Sequence, residues 1–268
     1  MEQLYVFGTG NAAVTRCYNT CFGIRDNSGR FFMVDAGGGN GILKILEDMN
    51  ISFEQIHHIF ITHEHTDHIL GIVWIVRFIA TRIKTGMYDN DLNIYCHEDL
   101  VPAIDTICRL TIQNKLYKLI GDRIHLIPVH NGETLPILNY DVTFFDIHST
   151  KARQFGFTTV LENGRRLTCA GDEPYNPVCR SFVEGSDWLL HEAFCLYSER
   201  QRFKPYEKHH STVKDACELA SELQIPNLVL WHTEDRSIDS RKKLYTAEGL
   251  QYYSGNLYVP DDQEILDL

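Results

Sequence analysis

Thr62-His63-Glu64-His65-Thr66-Asp67-His68 follows directly on residues 56–61, rich in isoleucine, which read as a buried strand. Helical periodicity resumes from about Ile69, so the segment spans a strand-to-helix junction. Four potential ligands, His63, His65, Asp67 and His68, fall within six residues there. At such a junction side chains converge on one point without burying unpaired backbone groups. Imidazole with carboxylate is the donor set that suits zinc and similar divalent ions. Four donors cannot complete two metal sites, so partners must come from elsewhere. The candidates are polar residues that end otherwise apolar strands: His148 after residues 142–147, Asp172 after 167–170, and His232 after 228–231.

The order of elements around this segment predicts the fold class. Residues 4–7, 21–25 and 31–34 read as strands, the last running into the glycine-rich stretch 35–41. A helix is expected over 42–49, a strand over 92–96, and a long helical stretch over much of 100–119. Strands return over 123–145, where Asn131-Gly132 signals a turn. Asn163-Gly164, between 155–162 and 166–170, is a hairpin signal. Residues 188–191 and 225–231 read as strands, 211–223 as a capped amphipathic helix, and 256–268 as a closing strand. Strands dominate both halves with helices outside them. A four-layer helix-sheet-sheet-helix sandwich of α+β class fits this order better than a doubly wound parallel sheet. No repeat or Pro/Gly/Ser linker divides the chain, so residues 1–268 read as a single domain.

Composition narrows the function classes. With 44% hydrophobic and 23% charged residues the chain has the balance of a soluble globular protein with a sizeable core. No stretch reaches the roughly 18 uncharged apolar residues that a membrane span needs, and the N-terminus lacks a basic-then-apolar signal pattern. A cytoplasmic location follows as the expectation. Eight cysteines without a C-x-x-C pair read as reduced, mostly buried thiols; the two nearest, Cys17 and Cys21, are placed in a strand. A net charge of −11 argues against a broad nucleic-acid-binding face. Only small basic clusters remain, at 165–166, 200–208 and 236–243.

The motif at 63–68, followed in order by His148, Asp172 and His232, resembles the metallo-β-lactamase superfamily. Gly8-Thr9-Gly10, His191-Glu192-Ala193-Phe194 and His210-Ser211-Thr212 resemble segments of its RNase Z-like branch. The resemblance spans nearly the whole chain. It implies the metallo-β-lactamase (αββα) fold and two zinc ions, with manganese or iron as the other metals the site would accept. It assigns His63, His65 and His148 to the first ion, Asp67, His68 and His232 to the second, and Asp172 to both. An activated water between the ions would be the nucleophile, its pKa lowered towards neutrality. Asp67 is thereby a catalytic residue as well as a ligand. Glu192 and His210 would form a relay in which the histidine protonates the leaving oxygen. A homodimer is implied in the same way. The remaining histidines, 57, 58, 97, 125 and 130, match no motif position and read as structural.

Enzymes of this branch that process tRNA 3′ ends usually carry a long arm, in the bacterial members between the third-motif histidine and the bridging aspartate. Here His148 and Asp172 are 24 residues apart, enough for a hairpin and no arm. The first reading is therefore an RNase Z-like phosphodiesterase acting on a small phosphodiester. The second is a tRNA 3′-processing endoribonuclease whose RNA partner is gripped by the basic residues 200–208. Thioester hydrolysis of the glyoxalase II kind shares the ligands but explains neither Glu192 nor His210-Ser211-Thr212. A β-lactamase is disfavoured by the lack of export, and flavodiiron chemistry by His65. A non-catalytic binding protein on the same scaffold would be expected to have lost ligands, and none is lost.

Overall fold

The computed structural model describes all 268 residues. Its contacts divide the chain into two compact units, each built on one seven-stranded sheet. The first unit holds residues 1–8, 18–130 and 263–268. Its elements are β1 (Gln3–Gly8), β2 (Cys21–Arg25), β3 (Phe31–Val34), α1 (Gly41–Asp48), β4 (Ile56–Phe60), α2 (Thr66–Lys84), β5 (Leu92–His97), α3 (Val101–Thr111), α4 (Asn114–Tyr117) and β6 (Ile124–Val129). Strands β3 to β6 run parallel to one another, while β2 is antiparallel to both β1 and β3. Ile42 and Leu46 of α1, Ile72, Ile75 and Ile79 of α2, and Ile104 and Cys108 of α3 pack with Ile56, Ile59 and Ile94 of the sheet into one buried cluster. The spacing of these residues is the helical period that burial on a sheet demands.

The second unit holds residues 9–17 and 131–262. It contains β7 (Thr134–Ile137), β8 (Tyr140–Asp146), β9 (Phe155–Val160), β10 (Arg166–Cys169), α5 (Arg180–Val183), β11 (Trp188–Glu192), α6 (Arg200–Phe203), α7 (Val213–Glu222), β12 (Asn227–Trp231), α8 (Arg241–Gly249) and β13 (Asn256–Tyr258). Strands β7 to β10 form an antiparallel meander, and β10 to β13 run parallel. Val213, Ala216 and Ala220 of α7 and Tyr245 of α8 pack with Leu189, Leu228 and Leu230 of the sheet. Thr212 caps α7 in a capping box with Asp215.

Several expectations shift. The expected closing strand at 256–268 is two strands in two sheets: β13 extends the second sheet, and β14 (Ile265–Asp267) pairs with β1 in the first. Pro260, between them, has no N–H to give to a ladder. The long helical stretch at 100–119 breaks after Thr111, because Ile112 leaves the helix with extended backbone and buries its side chain. Asn131-Gly132 is a turn as expected, with Gly132 at φ +79°, and it lies between β6 and β7. Asn163-Gly164 does lie in the β9–β10 hairpin. Cys17 precedes β2 rather than lying in a strand, and all eight cysteines are free thiols. The sequence reading missed α8, whose outer face is polar and whose buried stripe is short. No helix is long and apolar enough to cross a membrane.

Candidate metal centre

In the first sheet the motif leaves the C-terminal end of β4 and enters α2. His65, with extended backbone, is the N-cap, so Asp67 and His68 stand in the first helical turn, three residues earlier than the periodicity suggests. That position suits a carboxylate, because the helix N-terminus carries partial positive charge. Asp35, at the end of the parallel neighbour β3, organises the cluster. Its carboxylate accepts from Thr62 N at 2.8 Å, from Thr62 Oγ1 at 2.8 Å and from His68 Nδ1 at 2.7 Å. With Nδ1 donating, His68 presents Nε2, which lies 3.4 Å from Asp67 Oδ2. Thr62 Oγ1, having given its proton to Asp35, accepts from His63 Nδ1 at 2.9 Å. His63 therefore presents Nε2, 2.9 Å from His65 Nδ1. Carboxylates that orient ligand imidazoles in this way set tautomer and direction in metal sites. His63, Asp67 and His68 are buried, and His65 is half-buried.

Close backbone approach holds the junction in place. Ala36 N donates to His68 O at 3.0 Å and Gly71 N to Gly37 O at 2.8 Å. A Cβ at Gly71 would collide with the Ala36 carbonyl, so only glycine fits there.

In the second sheet the equivalent residues come from different strands. Asp172 follows β10, Glu192 ends β11 and His232 follows β12, three adjacent parallel strands whose C-terminal ends share one edge. His148 follows β8, which runs in the same direction as β10. Asp172 Oδ2 and His232 Nε2 are 3.4 Å apart, and both residues are buried. His210 lies on the segment before α7, which is tied to this edge by Phe194 N to Ser211 O at 3.0 Å and Val213 N to Cys195 O at 3.0 Å. Glu192, fully buried, accepts from Ser211 N through one oxygen and faces His210 Nδ1 at 3.5 Å with the other. Ligand atoms of Glu192, His210 and His232 lie within 4.8 Å of one another. The His210 ring is stacked on Phe194, centroids 4.9 Å apart.

Of the predicted residues, His148 stands apart. It is exposed and joins no group of three close donors. His148 and His232 nevertheless share a left-handed backbone, φ +57° and +56°, as do Asp35 at +57° and His209 at +55°. Such conformations cost energy in non-glycine residues and gather at functional sites.

Gly8-Thr9-Gly10 has a structural role beside His232. Gly10 bridges to Thr233, and Thr233 N donates to Thr9 O at 2.9 Å. Arg241, counted among the basic clusters in the sequence, is fully buried and donates to Thr9 Oγ1, Thr233 Oγ1 and Pro260 O, each at 2.8 Å. It braces the turn that carries His232 and is no part of a basic surface. The five histidines outside the motifs have local partners: Glu54, Tyr95, Glu64, Asp91 and Glu98 respectively.

The donor pairs fit a divalent metal. Two ligand atoms each about 2.0–2.2 Å from one tetrahedral ion stand about 3.3–3.5 Å apart. The Asp67–His68 and Asp172–His232 pairs at 3.4 Å match this, and the His63–His65 pair at 2.9 Å is slightly tighter. Asp35 is the functional residue that sequence reasoning missed. The signal existed, a carboxylate ending the apolar strand 31–34, but the following glycines drew the reading towards a turn.

Comparison with known proteins agrees with this geometry. Ribonuclease Z of Azobacteroides pseudotrichonymphae genomovar. CFP2 is 23% identical over 275 residues, covering 92% of each chain. The metallo-β-lactamase fold protein YhfI from Bacillus subtilis superposes with a TM-score of 0.78 at 16% identity, covering 99% of this chain and 98% of that one. The short form of human tRNase Z does so with 0.74 at 19% identity, covering 99% and 98%. The α+β metallo-β-lactamase fold and the RNase Z-like resemblance read from the motifs are both borne out. A family model described as anti-Pycsar protein Apyc1 matches residues 2–250, so the chain belongs to the Apyc1 anti-Pycsar protein family.

Proposed function

We propose that buried imidazoles and carboxylates of this chain hold two metal ions that hydrolyse a small phosphodiester. The chain is a metal-dependent phosphodiesterase of the RNase Z type. In this reading His63, His65 and His148 hold one zinc ion, Asp67, His68 and His232 the other, and Asp172 is shared. The observation that carries it is the set of buried imidazole–carboxylate pairs at chelating distance, with Asp35 directing His68. When bound, the ions supply positive charge and lower the pKa of a water towards neutrality, so that hydroxide is available at pH 7. The protein's own residues do the rest. Glu192 faces the Nδ1 edge of His210 at 3.5 Å, which leaves Nε2 to give a proton to the leaving oxygen. Phe194, stacked on the ring, keeps the imidazole from rotating.

Substrate size is argued from the segment between His148 and Asp172. It holds a loop and the β9–β10 hairpin and nothing that projects as an arm. Within residues 200–208, Arg202 pairs with Glu199, Lys204 with Glu207, and Lys208 lies over Phe194. Cleavage of precursor tRNA is the second reading, favoured by the relatives named ribonuclease Z. A homodimer in the cytoplasm completes the proposal. The eight free thiols suit a reducing compartment, and Trp74 and Phe78, exposed on α2, offer apolar surface.

Turnover of bis(p-nitrophenyl) phosphate by zinc-loaded protein, with precursor tRNA left intact, is the expected result. Efficient trimming of precursor tRNA would transfer the proposal to the second reading. Turnover of S-lactoylglutathione with no phosphodiester hydrolysed would overturn both.

A further inference from the structure

We infer that Lys151 is an anchor for a phosphoryl oxygen beside His210, and that the buried carboxylate of Glu173 sets it there; the inference rests on the phosphodiesterase reading above. Lys151 lies on the loop between β8 and β9, outside every motif of the sequence. Glu173, next to Asp172 and only 5% exposed, gathers this loop. It accepts from Ser149 Oγ at 2.8 Å and from Thr150 N at 3.1 Å, and lies 3.6 Å from Lys151 Nζ. Ser149 Oγ in turn accepts from the backbone N–H groups of Lys151 at 3.2 Å and Ala152 at 3.3 Å, which closes the loop on itself. Thr150 Oγ1, 3.1 Å from His209 Nδ1, ties it to the residue before His210. The outcome is that Lys151 Nζ stands 3.4 Å from His210 Nε2, the atom assigned to the leaving oxygen.

This placement is poorly explained as a structural ion pair. The side chain is 25% exposed, and a partly solvated ion pair at this distance contributes little to stability. Glu173 is at the long end of pairing distance, and part of its capacity is already spent on the loop. The ammonium is instead aimed at His210 Nε2, to which it donates at 3.4 Å. Once that nitrogen carries a proton, the two groups are both donors and can each take one oxygen of the same phosphate. The other approach to His210 is unsuited to an anion. There His210 lines a cavity of about 400 Å³ together with Asp215, Glu218 and Glu222, whose charge repels phosphate. An anionic phosphodiester is therefore steered to the Lys151 side.

Lys151 would bind a non-bridging oxygen, so its loss should not depend on the leaving group, whereas loss of the proton donor His210 should. For Lys151→Met, kcat/KM over a series of aryl phosphodiesters is expected to fall about 10- to 100-fold for every leaving group, with unchanged slope. Lys151→Arg, which keeps the charge, should recover most of the activity. Calorimetric binding of inorganic phosphate to the metal-loaded protein should weaken by a similar factor in Lys151→Met and by less in Glu173→Gln, at unchanged metal content. Phosphate bound as tightly by Lys151→Met as by the parent protein would overturn the assignment, as would a leaving-group dependence like that of His210→Ala. Because the calorimetry needs no turnover, it still decides the role of Lys151 if no phosphodiester proves to be a substrate.

Discussion

The two sheets present equivalent edges built by different means. At the end of β4 four candidate donors arrive within six residues, and a single added carboxylate, Asp35 at the end of the neighbouring strand, orients His68 directly and His63 through Thr62. At the C-terminal ends of β10, β11 and β12 the donors Asp172, Glu192 and His232 come from sites up to 60 residues apart in sequence. Parallel pairing alone brings them together. The first edge is specified locally and braced by backbone contacts through Ala36 and Gly71. The second is specified by register, and it depends on distant supports such as Arg241. A locally built ligand set tolerates distant change; a register-built one inherits every shift of the sheet.

The sharpest test of this comparison removes one carboxylate from each edge. If the proposed ligands hold the metals, Asp67→Ala and Asp172→Ala should each lower kcat by roughly a thousandfold or more, with loss of bound metal by elemental analysis. Two equivalents of metal retained in Asp172→Ala would remove Asp172 from the ligand set. A smaller effect is expected for His210→Ala, about a hundredfold with a poor leaving group and much less with p-nitrophenolate. An equal loss across leaving groups would remove His210 from the proton-donor role.

Asp35→Ala probes the bracing of the first edge. It leaves every proposed ligand in place but frees His68 to rotate, so metal affinity should fall about 10- to 100-fold and activity should recover in excess zinc. No recovery would mean that Asp35 does more than orient the imidazole.

The smallest effect concerns His58 on β4. Burial, followed by the nearby His57 and Arg30, pulls its imidazole down to about 4 from the ordinary 6.5. The folded protein therefore keeps His58 neutral where the unfolded chain takes up a proton. Its contribution to stability is whole above pH 6.5 and is lost as pH falls towards 4. His58→Gln should flatten that part of the pH dependence of the urea midpoint without changing activity per folded molecule. An unaltered slope would place the titration elsewhere.

Much of this is legible in the amino-acid sequence. Strands 21–25 and 31–34 agree with the structure residue for residue because short continuous apolar runs between turns leave one reading. The contiguous motif carried its own meaning, since ligand type and spacing are local properties. Strand-end polar residues were recognisable one at a time, and the same rule extended to Asp35 would have found it. Lys151 and Glu173 offered no such signal. A lysine in a polar loop and a glutamate beside an aspartate read as ordinary surface until the loop closes on the carboxylate.

By itself, then, the amino-acid order determined the chemistry on offer, imidazoles and carboxylates at strand ends, and the class of fold able to hold them. Tertiary structure decided which neighbours each donor meets: that Asp35 turns His68, that Glu192 faces His210, that Arg241 is buried, and that the last residues divide between two sheets. The physical reason is range. Propensity, capping and alternation act over a few residues, whereas hydrogen-bond partners and sheet edges are fixed by packing between segments far apart along the chain.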